Sequence, residues 1–354
     1  MRTVRVIGNL EPGGGQLSAL RLGIALRQRG WPVRFLAGSG STAGVDLFRS
    51  HGVEVELYGA SRNLQYECDP GFSSWLAPRL VDADLVHGHQ FGAWWAAARA
   101  APAAVPVVGS EHNAYQWPHA PPFAELGCAL DRLDRLFVHG PTAREQLLAL
   151  GANPALLHEG RSAIDRIDVP EPARIPARRL VYVGRLHHEK GPDLLLEALA
   201  LLSDRPPLYM LGSGPLEPDL RDRARRLGIE GDVVFAGWRR RPSEWIAGAS
   251  ACVVPSRCDA WSQTAVLAMA LGVPVVGTAV EGLEHVLSGG RGIAVAPERP
   301  AELARALASL LQGRVRTDLP AARRYAATFT PERVADLYEH SYIELLGRPV
   351  ARAA

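Results

Sequence analysis

The chain has 354 residues, 47% hydrophobic and 21% charged, which is the make-up of a globular protein with room for two separately cored domains. Its 39 basic residues face 37 acidic ones, and residues 1–168 carry 15 of the first and 16 of the second, so no basic block is present to read a nucleic-acid backbone. No apolar run is long enough for a membrane span, and MRTVRVIGNL lacks the apolar core and cleavage site of a signal peptide. Four scattered cysteines, Cys68, Cys128, Cys252 and Cys258, do not make a disulfide scaffold, and a cytoplasmic setting is expected.

In chain order, Val4–Gly8 reads as a strand and Gln16–Arg29 as a helix. Pro32–Leu36, Val53–Leu57, Leu85–His87 and Val105–Gly109 follow as strands, and Ala143–Leu150 as a helix closed by Gly151. Leu157–Glu159 leads into a proline-rich stretch, Pro170 to Pro176, which reads as a linker. The alternation then resumes. Strands are expected at Leu180–Val183, Leu208–Leu211, Asp232–Phe235, Ala251–Val254 and Val273–Gly277. Helices are expected at Pro192–Ser203, Asp219–Leu227, Pro242–Ala247, Gln263–Leu271, Ala301–Gln312 and Thr330–Leu346. Short, wholly apolar strands spaced by amphipathic helices predict parallel sheets covered on both faces. Two such sets predict an α/β protein of two Rossmann-like, doubly wound domains facing a central cleft. Ligands in such sheets sit at the carboxyl ends of the strands.

Four segments at strand ends carry candidate chemistry. Gly13, Gly14, Gly15 and Gln16 lie between the first strand and the first helix, where bare amides can meet an anion. Read alone, the same turn is also that of a flexible loop. Gly184-Arg185-Leu186-His187-His188-Glu189-Lys190-Gly191 joins a strand to a helix, and its two cations can converge on a diphosphate. Lys190 is the only lysine in the chain, in a composition that otherwise uses arginine, which marks a place for a compact ammonium. Leu211-Gly212-Ser213-Gly214-Pro215 and Phe235-Ala236-Gly237-Trp238 are strand ends that permit close approach of a ligand. Last, a strand breaks at Pro255 into a loop carrying Asp259. A helix follows, and its first amides, Ser262, Gln263 and Thr264, make a second anion site. Asp259 reads either as an acceptor for sugar hydroxyls or as a simple N-cap.

These segments in order, with DLVHGH, VVGSEHN and PSRCDAWSQTAVLAMALGVPVVGT, closely resemble the retaining glycosyltransferases of family 4, which share the two-domain GT-B arrangement. The resemblance implies an N-terminal acceptor domain over residues 1–168, rejoined by the C-terminal helix at about 336–354. It implies a donor domain over 169–335. Arg185 and Lys190 match the pair that binds the donor diphosphate. Asp259 matches the first carboxylate of a Glu-x7-Glu motif that holds the donor sugar. Gly184, Gly212, Gly214, Gly237, Trp238, Ser262, Gln263 and Thr264 fall in the donor-binding segments. Gly13, Gly14, Gly15 and Gln16 match the phosphate and acceptor loop, and His112 matches the histidine near the reacting carbon.

Two positions depart from the family pattern. Asp259 is one methylene shorter than the usual Glu, and the second Glu is replaced by Leu267. The resemblance implies transfer of a sugar from a nucleoside-diphosphate sugar, UDP-linked by preference, to a small-molecule, glycan or lipid acceptor. It implies retention of configuration, no metal and no other cofactor. His87 and His89 share one face of a strand as metal ligands do, yet no Cys or carboxylate cluster completes a zinc set. Trp94, Trp95, Tyr115 and Trp117 read either as sugar-stacking aromatics or as core. A non-catalytic sugar-nucleotide binder, and an epimerase or phosphorylase on the same scaffold, are the competing readings.

Overall fold

The computed structural model describes residues 2–112, 123–165, 167 and 173–347. Pro170, Glu171 and Pro172 of the expected linker, the expected domain boundary after Asp168, and Tyr115 and Trp117 lie outside the described residues. The chain divides into two compact units, Met1–Ile164 with Pro331–Ala354, and Asp165–Thr330.

The first unit alternates β1 (Thr3–Asn9), α1 (Gly14–Gln28), β2 (Val33–Ser39), α2 (Thr42–Arg49), β3 (Glu54–Leu57), α3 (Pro70–Leu76), β4 (Leu85–His89), α4 (Phe91–Ala100), β5 (Val107–Glu111), α5 (Phe123–Arg132), β6 (Arg135–Val138), α6 (Pro141–Ala149) and β7 (Leu157–Glu159). Its sheet is parallel in the order β3-β2-β1-β4-β5-β6-β7. The order reverses between β1 and β4, which opens the ligand crevice of such sheets at their carboxyl ends. Three strands of this sheet begin later than the apolar pattern predicts, β3 by one residue. β2 starts after Pro32 and β5 after Pro106, because proline has no N–H for the ladder. The carbonyls of Pro32 and Pro106 still accept from Thr3 and Val86, at 2.9 and 3.0 Å. β4 runs two residues further than predicted and carries His89 within the sheet.

The second unit continues with β8 (Leu180–Val183), α7 (Pro192–Ala200), β9 (Leu208–Leu211), α8 (Glu217–Arg226), β10 (Val233–Gly237), α9 (Pro242–Ile246), β11 (Ala251–Val254), α10 (Gln263–Ala270), β12 (Val275–Thr278), α11 (Glu281–Leu287), β13 (Ile293–Val295), α12 (Pro300–Leu311) and α13 (Leu319–Ala326). Its parallel order is β10-β9-β8-β11-β12-β13, with the reversal between β8 and β11. The loops after those two strands hold the lysine segment and the Asp259 segment. Leu180, Leu195, Leu199, Met210, Val253 and Val276 are among the buried side chains that close the core around this sheet.

The last helix, α14 (Pro331–Leu345), belongs to the first unit. Val334, Ala335, Tyr338 and Tyr342 bury one face in the core that holds Ile7, Leu22 and Phe35. Arg29 pairs with Glu339 at 2.6 Å and Asp336 at 2.8 Å, and the Trp31 indole donates to Glu339 at 2.7 Å. Among the described residues no helix is long and apolar enough to cross a membrane.

Candidate functional site

In the second unit the site is built where β8 and β11 end. After β8 the chain turns through Gly184, Arg185 and a short 3-10 turn, His188–Lys190. Gly191 closes it at φ 60°, and a Cβ there would lie 2.0 Å from the Pro255 carbonyl oxygen. Only glycine lets the lysine turn press so closely on the loop after β11. The Glu189 carbonyl accepts from Arg257 N at 2.8 Å and Cys258 N at 3.2 Å, stitching the two loops together. The result is a direct meeting of the predicted cation and carboxylate. Lys190 Nζ stands 3.2 Å from Asp259 Oδ2, and their side chains are only 23% and 11% exposed.

Each partner is held in turn. Ser256 Oγ donates to Asp259 Oδ2 at 3.2 Å. The Asp259 amide donates to Glu281 Oε2 at 2.9 Å, and the Asp259 carbonyl accepts from Leu283 N. Glu281 holds this position at φ 30°, in the left-handed region that costs a non-glycine residue about 1 kcal/mol or more. Asp259 is therefore not the helix cap. Ser262 caps α10, its Oγ accepting from Ala265 N at 3.3 Å. Thr264 Oγ1 donates to the Val183 carbonyl at 3.0 Å and ties the first turn of α10 to the end of β8. Gln263 is half-buried in that same turn, and Leu267 is buried further along it.

Arg185 differs from Lys190. It is half-exposed and pairs with Glu189. Arg257, which sequence reasoning did not single out, braces the loop: its guanidinium grips both Asp193 oxygens at 2.7 and 2.8 Å, donates to the His188 carbonyl and pairs with Glu298. Burial alone would raise the Asp193 carboxyl, but Arg257 overrides it and holds it below the usual carboxylate range. Gly212 and Gly214 face backbone. A Cβ on Gly212 would lie 1.9 Å from the Gly184 carbonyl, and one on Gly214 would lie 2.4 Å from that of Leu186. Gly237 ends β10 at an irregularity in the ladder, and Trp238 beyond it is 45% exposed.

In the first unit the polar residues at the strand ends are buried. Gly13 caps α1 with extended backbone and no side-chain cap. Gln16 is buried beneath it and donates to Gln65 at 3.5 Å. Gly15 faces His112 and Gln90: a Cβ there would lie 3.4 Å from Gln90 Nε2 and 3.8 Å from His112 Cδ2. Gln90 is itself held at φ 68° and buried. Gly14 stands in the first turn of α1 between them.

Around His112 lies a stack of imidazoles. Ring centroids are 3.9 Å apart for His112 and His139, 6.2 Å for His89 and His112, and 4.2 Å for His87 and His89. Arg5, on the wholly buried β1, donates from Nη2 to His89 Nε2 at 2.7 Å and from Nη1 to Tyr342 at 3.3 Å. His87 Nδ1 meets Tyr342 Oη at 2.5 Å, and its Nε2 meets Ser110 Oγ at 2.8 Å. Ser162 Oγ bridges His139 Nδ1 at 3.1 Å and His112 Nδ1 at 3.4 Å. Burial, aided by the Arg5 charge, pushes His112 down to about 4, and burial holds His87, His89 and His139 well below the ordinary imidazole range. All four are neutral at pH 7. Among the described residues no group of three His, Cys, Asp or Glu is placed to hold a metal ion. Trp94 and Trp95 are core rather than surface aromatics: both are buried, and their indoles donate to Glu111 and Glu125.

Two doubly wound domains, each gathering its polar residues at the carboxyl ends beside the strand reversal, define the GT-B class of glycosyltransferase. The profile described as "Glycosyltransferase Family 4" matches residues 12–160, and that described as "Glycosyl transferases group 1" matches residues 177–313. D-inositol 3-phosphate glycosyltransferase 2 of Catenulispora acidiphila is 31% identical over 314 residues, 74% of this chain and 72% of that protein. The D-inositol 3-phosphate glycosyltransferase of Mycolicibacterium vanbaalenii is 32% identical over 311 residues, 76% of this chain and 67% of that protein. In fold, the chain is similar to Anabaena HepE solved with UDP-glucose, at a TM-score of 0.83 and 18% identity over 97% of this chain and all of that one. It is similar also to sucrose-phosphate synthase of Thermosynechococcus elongatus, at 0.80 and 20% over 98% of this chain and all of that one. The chain belongs to the family 4 glycosyltransferases.

Proposed function

We propose that this glycosyltransferase moves a sugar from a nucleoside-diphosphate sugar, UDP-linked by preference, to a hydroxyl of a small acceptor, with retention of configuration and without a metal. The observation that carries the reading is the 3.2 Å pairing of Lys190 with Asp259 at the ends of β8 and β11. Asp259 takes hydroxyls of the donor sugar, while Lys190 and Arg185 take the diphosphate as its charge grows. The amides of Ser262, Gln263 and Thr264 add the partial positive charge of a helix start. Fixed donors aimed at a developing charge lower the barrier most, which leaves no task for a divalent cation. The bond from the anomeric carbon to the phosphate oxygen breaks, and the bond to the acceptor oxygen forms on the same face. The acceptor proton passes to the departing phosphate oxygen, and the nucleoside diphosphate leaves.

The relatives act, by their names, on D-inositol 3-phosphate, and HepE was solved with UDP-glucose; both support a UDP-sugar donor and a small hydroxylated acceptor. Gly13, Gly14, Gly15, Gln16 and His112 are the residues of the first unit assigned to that acceptor. Thermal-shift measurements against UDP-, GDP-, ADP- and dTDP-sugars test the donor, since a ligand of the folded state alone raises Tm. Transfer to D-inositol 3-phosphate and related polyols, in the presence of EDTA, tests the rest. The expected product keeps the donor's anomeric configuration in its proton coupling constant. Lys190→Ala is expected to lower kcat by about 10²–10³-fold with the fold intact. An inverted product, a rate abolished by EDTA, or full activity in Lys190→Ala overturns the reading.

A further inference from the structure

Arg5 is a buried charge of the first unit that the glycosyl-transfer reading leaves without a task. Among the described residues its hydrogen-bond partners are His89 and Tyr342, and it makes no ion pair. A guanidinium has five N–H donors and no acceptor. The 2.7 Å contact from Arg5 Nη2 to His89 Nε2 therefore requires a lone pair on Nε2. Because His89 is neutral, its single proton sits on Nδ1. That atom is buried and has no hydrogen-bond partner among the described residues.

The same guanidinium orders the neighbouring ring the other way. Arg5 Nη1 donates to the Tyr342 oxygen, so the Tyr342 hydroxyl proton is free to turn to His87 Nδ1 at 2.5 Å. His87 Nδ1 then carries the lone pair, and its proton sits on Nε2, donated to Ser110 Oγ at 2.8 Å. Two stacked imidazoles, two residues apart on one strand, hold opposite tautomers because one cation donates to both branches.

We infer that Arg5 is a positioning residue that locks His89 in the Nδ1–H form, so that His89 offers a hydrogen, and not a lone pair, to an oxygen of the acceptor substrate. An unpaired buried N–H carries a desolvation cost, which an oxygen ligand recovers. His89 lies at the carboxyl end of β4, beside the β1/β4 reversal, with the His112 ring 6.2 Å away and Gln90 next in the chain, the two residues that Gly15 faces. An acceptor hydroxyl or anionic oxygen is the ligand class that fits; a cation or an N–H group is refused. The inference rests on the reading that the first unit takes the acceptor, but its central claim does not need turnover.

The test is the histidine tautomer pattern in long-range ¹H–¹⁵N spectra of the full-length protein, with His87→Gln and His89→Asn spectra naming the two signals. The expected pattern is Nδ1–H for His89 and Nε2–H for His87, unchanged from pH 6 to 8. Arg5→Lys, which keeps a donating cation, retains the His89 form, and Arg5→Met loses it. Tyr342→Phe releases His87 and leaves His89 as it was. Finding His89 as Nε2–H in the unmodified protein overturns the inference, whether or not the Arg5→Met chain folds. With UDP-glucose as donor and D-inositol 3-phosphate as probe acceptor, His89→Asn keeps a donor near the Nδ1 position and is expected to hold KM within a few-fold. His89→Leu is expected to raise the acceptor KM by about 5-fold or more and leave the donor KM unmoved, as loss of one hydrogen bond to the acceptor requires. Equal acceptor KM for the two variants overturns the acceptor role. Absence of any transfer in the unmodified protein counts against the proposed function alone, and the tautomer pattern still decides the Arg5 assignment.

Discussion

The two units solve the same problem, placing polar groups at the carboxyl end of a parallel sheet, with opposite electrostatics. In the second unit the groups are charged, paired and partly wet: Lys190 with Asp259, Arg185 with Glu189, Arg257 with Asp193. In the first they are dry: four neutral imidazoles, two tyrosines and two serines around the Arg5 guanidinium, which makes no ion pair among the described residues, with the Glu111 carboxyl buried at the end of β5. A site that must meet a diphosphate needs mobile, solvent-accessible cations. A site that must orient an uncharged hydroxyl gains from fixed dipoles in a low dielectric.

Acid should separate the two most sharply. Burial depresses the four imidazoles in the folded first unit, so the unfolded chain takes up protons before the folded one does. Stability is then complete at pH 7 and falls as pH drops from about 6.5 toward the value near 4 held by His112. Each imidazole contributes a slope of up to about 1.4 kcal/mol per pH unit in that window. Asp193 loses its contribution in the same direction but in a lower window: its carboxyl is depressed by Arg257, and that stabilisation fades only below the ordinary carboxylate range near 4. Hydrogen exchange between pH 7 and 5, resolved by segment, should show β4, β5 and α14 loosening while β8, β11 and α10 hold. Uniform loosening would remove the contrast.

Arg257→Ala should strike the second unit alone. The side chain is 13% exposed, grips both oxygens of a carboxylate that is 17% exposed, and links the lysine turn to the Asp259 loop. Its removal strands Asp193 and should cost about 2–4 kcal/mol. Arg257→Lys should recover less than half of that, since an ammonium cannot hold both oxygens. Urea unfolding checks the stability. The donor KM should rise in step, because Lys190 and Asp259 lose their common brace. Unchanged donor binding in a destabilised Arg257→Ala chain would show that the brace is structural only.

The same contrast decides what was legible from the residues in order. Lys190, Gly191, Asp259 and Ser262–Thr264 lie in two short runs, each a strand, a turn and a helix start, so local chemistry announced them. Arg5 and Tyr342 are 337 positions apart and meet only through the fold. His87 and His89 showed as a pair on one strand, but His112 looks solitary in its own segment, and His139, Ser110, Ser162 and Tyr338 carried no signal. One sign was readable: an arginine in the apolar middle of a buried strand, TVRVIGN, has to find buried partners. Glu281 was beyond reach, since nothing marks a glutamate for a left-handed backbone. Helix α4 escaped for another reason: most of FGAWWAAARA is buried on every side, so no amphipathic period exists to detect. Most strands of both sheets, by contrast, followed from the apolar pattern, with proline deciding where β2, β5 and β12 begin, while β6 and β13 were not anticipated.

Two serines allow the finest comparison. Ser162→Ala leaves His139 Nδ1 and His112 Nδ1 without their shared hydroxyl inside the core, and should cost about 1–3 kcal/mol of stability. Ser262→Ala removes a cap whose partner, the Ala265 amide, sits at the start of an eight-residue helix, and should cost about 1 kcal/mol or less. Both serines are buried, so the order follows from what can replace them: on the proposed reading a diphosphate held by the neighbouring Ser262, Gln263 and Thr264 amides orders the same helix turn, whereas the imidazole nitrogens have no second source. Adding saturating donor should therefore shrink the Ser262→Ala deficit in Tm and leave the Ser162→Ala deficit as it was. Equal deficits with and without donor would mean that the α10 amides do not meet the diphosphate, and the difference between the two units would then be one of burial rather than of task.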